Sequence, residues 1–210
     1  MSFLNKYGWL LCTIAMIGDL AVSLILSFFY KDYSNAKMSI SALGNPSSPV
    51  RVPFNLWMIL EGLLFLASIP AIYSCYNSIS GGLTKMLVIF VAAFAVGACI
   101  FTGFFSVNES KDVVTTASKI HGAGSAIGFM LFLFVPLLLA ILSFKNRESG
   151  FGIMSIICFV ISLLFFVLFV MSDKSEFKNT IIQNEGIWQR LNLIFMYLPL
   201  ICISIKRIMA

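Results

Sequence analysis

Charge is what this sequence has least of. Only 11% of its 210 residues are Asp, Glu, Lys or Arg, where a soluble domain uses roughly a quarter to keep its surface in water. There is a single histidine, His121, so one chain cannot supply a bis-histidine haem. It also argues against a zinc site of the usual kind, although one histidine with two carboxylates stays open. The five cysteines, Cys12, Cys75, Cys99, Cys158 and Cys202, sit in or at the ends of apolar runs with no Cys-x-x-Cys spacing. They read as small buried hydrophobes, not as a disulfide framework or a zinc cluster. A Gly-x-Ser-x-Gly elbow, a His-Glu-x-x-His pair and a phosphate-binding loop are all missing. No cofactor and no metal is implied.

What is present is apolar: 60% of the residues are hydrophobic and the mean hydropathy is +0.98. A spanning helix needs about 20 such residues. The chain divides into six spans, over 7–30, 54–76, 85–107, 118–144, 151–171 and 186–208, and the expected fold is an all-α polytopic bundle of six transmembrane helices in a single domain over 1–210. The first run follows a short segment with one lysine, as a signal peptide would. It is too long for a signal core and has no small-residue exit, so it reads as a retained span.

The net charge of +5 comes from basic residues scattered through the loops, which points to lipid headgroups and orientation, not to nucleic acid. Lysine and arginine do not decide the orientation, with Lys6, Lys85, Lys145, Arg147, Lys206 and Arg207 on the terminal side against Lys31, Lys37, Arg51, Lys111, Lys119, Lys174 and Lys178 opposite. The acids Asp32, Glu109, Asp112, Asp173, Glu176 and Glu185 gather with the longer loops, leaving Glu148 alone, and on that weaker ground cytoplasmic termini in a plasma membrane are expected.

Spans two, four and six each carry polar residues near their entry from the longer loops and a proline further on, Pro70, Pro136 and Pro199; kinks are the modest expectation. Span four opens His121-Gly-Ala-Gly-Ser-Ala-Ile-Gly128, with small-xxx-small steps at Gly124/Gly128 and Gly122/Ala126. Such steps let a second helix come close or, as the weaker reading, clear room for a lipid chain.

An ionisable group near the bilayer centre costs roughly 2.5–3.5 kcal/mol on insertion scales, so the few inside spans carry the most information. These are Asp19, Glu61, His121 and Arg190. Glu61, His121 and Arg190 fall at similar depths near one end of the bundle, and the turn-rich loop 39–49 could fold over them as a cap. A Glu61–Arg190 ion pair that fixes helix order is the bland expectation, and an interfacial, solvated His121 is another. The sharper one makes His121 an acid/base beside Glu61 or Asp19, with Arg190 on an anionic headgroup. Glu185, Gln189 and Asn192 share one face of span six, and Trp57 and Trp188 stand where interfacial aromatics belong.

The segments Ser41-Ala-Leu-Gly44, Pro49, Phe54-Asn55, Glu61-Gly62, Gly103-Phe-Phe, His121-Gly122 and Glu185-Gly-Ile-Trp-Gln-Arg-Leu191 give the chain a resemblance to the bacterial and archaeal membrane family called domain of unknown function 998, similar in general layout to Frag1/DRAM-type membrane proteins. The resemblance implies six membrane helices and no settled activity, and its polar positions here are Ser41, Asn55, His121 and Arg190. Phe105 stands where that family often has proline, and Glu61 is not carried over as one of its polar positions.

Three functions compete. The first is a non-catalytic lipid-binding, sensing or accessory bundle, with Arg190, Asn55, Ser41, Gln189 and Asn192 as ligand contacts, membrane lipids as partners and a second membrane protein or second copy as a further possibility. The second is an intramembrane lipid enzyme using His121, Glu61 and Asp19; the third is a small proton-coupled transporter titrating Asp19. The shortage of catalytic groups favours the first.

Overall fold

In hydrocarbon every backbone polar group must find its partner inside the protein, which leaves helices as the way for such runs to cross. The computed structural model describes residues 3–108 and 113–209, so the loop residues Glu109, Lys111 and Asp112 lie outside the described residues. Six helices are long and apolar enough to span a membrane: α1 (Phe3–Ser27), α2 (Arg51–Tyr76), α3 (Gly81–Phe104), α4 (Thr116–Lys145), α5 (Ser149–Met171) and α6 (Glu185–Ile208). No strand occurs among the described residues. The protein is an all-α polytopic membrane bundle. Helix ends depart from the apolar runs: α1 stops at Ser27, and 28–30 turn back through bonds from Phe28, Phe29 and Tyr30 N–H to the carbonyls of Ile25, Leu26 and Ser27.

Each helix packs on its chain neighbours and α6 returns to α1, closing a ring in sequence order. Short turns join the helices on the terminal side, at 77–80 and 146–148, and the described parts of the longer connections, 28–50, 105–108, 113–115 and 172–184, share the other side. A one-turn 3-10 segment, Ile40–Gly44, sits against α1, α2, α3 and α6 and caps the ring at the loop end. Outward faces carry bare apolar side chains such as Ile17, Ile25, Ile157, Val160 and Leu164, as lipid contact requires.

Two helices are irregular. α3 widens into a π turn over Ala95–Ile100, opposite Gly62, where a Cβ would come within 2.6 Å of the Ala95 carbonyl oxygen. α4 breaks between Phe132 and Val135, just before Pro136, whose ring and missing N–H interrupt the ladder. Pro70 and Pro199 lie inside helices that run through. The break is also where α4 changes partner. Thr116–Phe132 packs on α3 and stands off from α5 and α6, while Val135–Lys145 packs chiefly on α5 and also on α3 and α6.

Candidate binding cavity

Buried hydroxyls do not mark a site here. Ser23, Ser27, Ser68, Thr102, Ser143, Ser155, Ser162 and Ser204 each donate to a carbonyl three or four residues back on their own helix, so they are satisfied wherever they stand. A carboxyl, amide, imidazole or guanidinium on a helix needs a partner from elsewhere, and these collect in the loop-side half.

They surround a cavity of about 820 Å³. Its inner end is Asp19, eight residues (19 to 27) before the loop-side end of α1, a depth of roughly 12 Å at the helical rise. Tyr197 donates its hydroxyl to Asp19 Oδ2 at 2.8 Å. His121, Ser125 and Thr102 line the wall, Ser39 and Ser41 of the cap lie over it, and Lys119, Asp173 and Glu185 stand toward the mouth. Asn108, Ser118 and Gln189 add further polar groups, and the rest of the wall is apolar, with Phe94, Phe129, Met130, Phe166, Phe169 and Val170. Met130 is 54% exposed and Val170 48%, so the cavity reaches the lipid-facing surface through the gap between the first half of α4 and α5.

The small-residue steps of α4 divide between two faces. A Cβ on Gly97 of α3 would lie 2.4 Å from the Gly124 carbonyl oxygen, and one on Gly128 would lie 3.0 Å from Ala98 N, so Gly124 and Gly128 serve helix packing. Gly122 and Ala126 line the cavity, and a Cβ on Gly122 meets nothing within 4 Å.

The polar residues singled out from sequence do not form one cluster. His121 is buried, and its Nδ1 lies 2.9 Å from the Phe105 carbonyl oxygen. A carbonyl only accepts, so Nδ1 carries the proton and Nε2 is left toward the cavity. Neither carboxyl hydrogen-bonds or ion-pairs with the ring. Phe105 has φ −119° and donates its N–H to Phe101, a conformation and a bond that proline could not supply.

The expected Glu61–Arg190 ion pair is not formed. Glu61 is fully buried with no partner on either oxygen, among Cys99, Asp19 and Tyr197. Arg190 points to the cap loop: Nη1 donates to the carbonyls of Asn35 (2.9 Å), Gly186 (3.0 Å) and Met38 (3.4 Å), and Nη2 to Tyr33 Oη and Asn35 Oδ1, both at 2.8 Å. Burial pushes the Tyr33 phenol above its ordinary range, and the guanidinium beside it pulls the other way. Gly186 leaves the room this needs, since a Cβ there would lie 2.4 Å from both the Asn35 and Met38 oxygens.

Two further side chains of α6 hold the same strand of backbone. Glu185 accepts from Ser39 N–H at 3.0 Å and Gln189 from Ile40 N–H at 2.7 Å. Asn192 donates to the Ser162 carbonyl, tying α6 to α5, and Asn55 to Ser106 Oγ, tying α2 to the loop after α3. Arg190, Asn55 and Asn192 thus stand outside the cavity lining, and Asp19, His121, Ser41 and Gln189 within it. Trp188 donates to the Ile182 carbonyl; the half-exposed Trp57 has its Nε1 enclosed and its ring against Gly18. Tyr197 was missed in the sequence, though it prolongs the face of Glu185 and Gln189 at i+4 steps through Leu193.

A ring of six helices, each long and apolar enough to cross a bilayer, makes this a multi-pass membrane protein embedded in lipid. A family model described as "Protein of unknown function (DUF998)" matches residues 13–206, and the chain belongs to that family. Neither the curated proteins nor the solved structures contain a match to it.

Proposed function

We propose that the protein is a non-catalytic bundle that takes a lipid-like amphiphile into this cavity, its chain entering sideways between α4 and α5 and its head turned toward Asp19 and the cap. The plasma membrane, with cytoplasmic termini and an outward-facing cap, is the setting the loop acids favour. The observation that carries the reading is the lateral gap: a cavity of about 820 Å³, within the roughly 300–1,000 Å³ of small-ligand sites, meets the lipid-facing surface along an apolar wall and ends on buried polar groups. A catalytic reading draws less support, because His121 is joined to neither carboxyl. A carrier reading gains Asp19 as a group reached from the loop side, but beyond it Phe65, Phe94, Phe132 and Tyr197 pack together, edge to face or tilted, with ring centroids 4.6–6.2 Å apart.

The test is lipid analysis by mass spectrometry of protein purified from its membrane, wild type beside Gly122→Trp and Ala126→Trp. Both substitutions place an indole in the gap without touching α3. One lipid class enriched over the bulk membrane in the wild type and depleted in both variants is expected. An identical complement in all three, matching the bulk membrane, would remove the proposal.

A further inference from the structure

The inner end of the cavity restricts the head it can receive, an inference that rests on reading the cavity as an amphiphile site. Asp19 is 4% exposed. Among the described residues its one hydrogen-bond donor is a neutral phenol, Tyr197, on Oδ2; Oδ1 is left toward the cavity. Behind it stands Glu61, a second carboxyl with only the weak thiol of Cys99 beside it as a donor among the described residues. No cation touches either. The charge of Arg190 acts on Asp19 from a distance, but all its hydrogen bonds run to the cap loop and its own helix. Lys119 lines the cavity only toward the mouth, where Asp173 and Glu185 are also present. His121, 6% exposed, commits Nδ1 to the Phe105 carbonyl, and among the described residues its Nε2 has no hydrogen-bond partner. With its ring neutral, that atom is a further acceptor on the way in.

Asp19 Oδ1 and His121 Nε2 are acceptors that call for a ligand that donates, and a carboxylate withdrawn from water calls for a counter-charge. We infer that the cavity selects a single-chain amphiphile with a protonated amine head, Asp19 being its counter-ion and His121 Nε2 an acceptor along its path. A phosphate or carboxylate head would meet the Asp19 carboxyl and no guanidinium. Aromatic and aliphatic side chains from Phe129 to Val170 line the route left for the alkyl chain.

Three probes of equal chain length separate the cases: dodecylamine, dodecanol and dodecyl phosphate, titrated calorimetrically into the protein in phosphatidylcholine nanodiscs, with Gly122→Trp nanodiscs as the blank for simple partitioning. Dodecylamine is expected to bind at least about tenfold more tightly than either other probe, and Asp19→Asn, which still accepts from Tyr197, to bring it down to the level of dodecanol. Equal binding of dodecanol or dodecyl phosphate, lost in Gly122→Trp, would leave the cavity and overturn the amine head, as would an amine preference that survives Asp19→Asn. Binding of no probe, or of all three unchanged by Gly122→Trp, would take the cavity reading down as well. Should Asp19→Asn not fold, the ranking in the wild type decides alone.

Discussion

The two ends of this bundle solve the burial of polar groups in opposite ways. Toward the termini the buried side chains are apolar or, Tyr76 with its unpartnered hydroxyl apart, are hydroxyls bound to their own helix, as Ser68, Ser143 and Ser204 are, and close contact follows: a Cβ on Gly8 of α1 would lie 2.6 Å from the Ala71 Cβ of α2. Toward the loops stand Asp19, His121, Gln189 and Arg190, which their own helices cannot satisfy. Backbone from the cap loop, the Phe105 carbonyl and the Tyr197 hydroxyl are brought in to meet them, and a cavity remains between. Polar chemistry, not a lack of apolar residues, decides which end stays open.

That contrast is repeated two residues apart on α4, and there it breaks most sharply. Gly97→Leu drives a side chain into the Gly124 backbone, which cannot move without parting α3 from α4; a loss of more than about 4 kcal/mol is expected, read as failure to recover monodisperse protein in detergent. Gly122→Leu points into open space and should stay within about 1 kcal/mol of wild type in thermal unfolding. If both are equally damaging, the two faces of α4 are not different and the cavity wall is part of the packed core.

Six spans were legible because length and hydropathy alone dictate them. So was the importance of Asp19, His121 and Arg190, because insertion cost singles such residues out wherever they sit. Their partners were not, since pairing depends on which helix faces which. Depth placed Arg190 beside Glu61, whereas the ring order puts α6 next to α1 and α5 and turns the guanidinium onto loop 33–38. The lateral gap was illegible for a related reason. Gly122/Ala126 and Gly124/Gly128 are the same motif in sequence, and only the position of α3 separates the face that packs from the face that lines a cavity.

The latch between α6 and the cap sharpens the contrast next. Arg190→Lys keeps the charge but loses the planar fork that reaches three carbonyls, Tyr33 and Asn35 at once. Amide exchange at Ser39 and Ile40, whose N–H groups are held by Glu185 and Gln189, should quicken by about tenfold, ~1.4 kcal/mol of local stability. Exchange around Phe65 and Leu139 should not change. Equal acceleration at both ends would mean that the cap supports the whole bundle and not only the cavity beneath it.

The smallest effect belongs to the terminal end, where Lys206 Nζ lies 3.1 Å from Glu148 Oε1. The pair ties α6 to the α4–α5 turn, yet the lysine side chain is 62% exposed, and exposed pairs contribute roughly 0.2–1 kcal/mol at best. A half already held by close helix contacts and self-satisfied hydroxyls does not depend on such a tie. Glu148→Gln should therefore lower stability by less than about 0.5 kcal/mol, measured by thermal unfolding at low and high salt, with little salt dependence in either protein. A loss well above 1 kcal/mol that salt erases would show the terminal end to be held by charge, and the division between a self-sufficient half and a partnered half would fall.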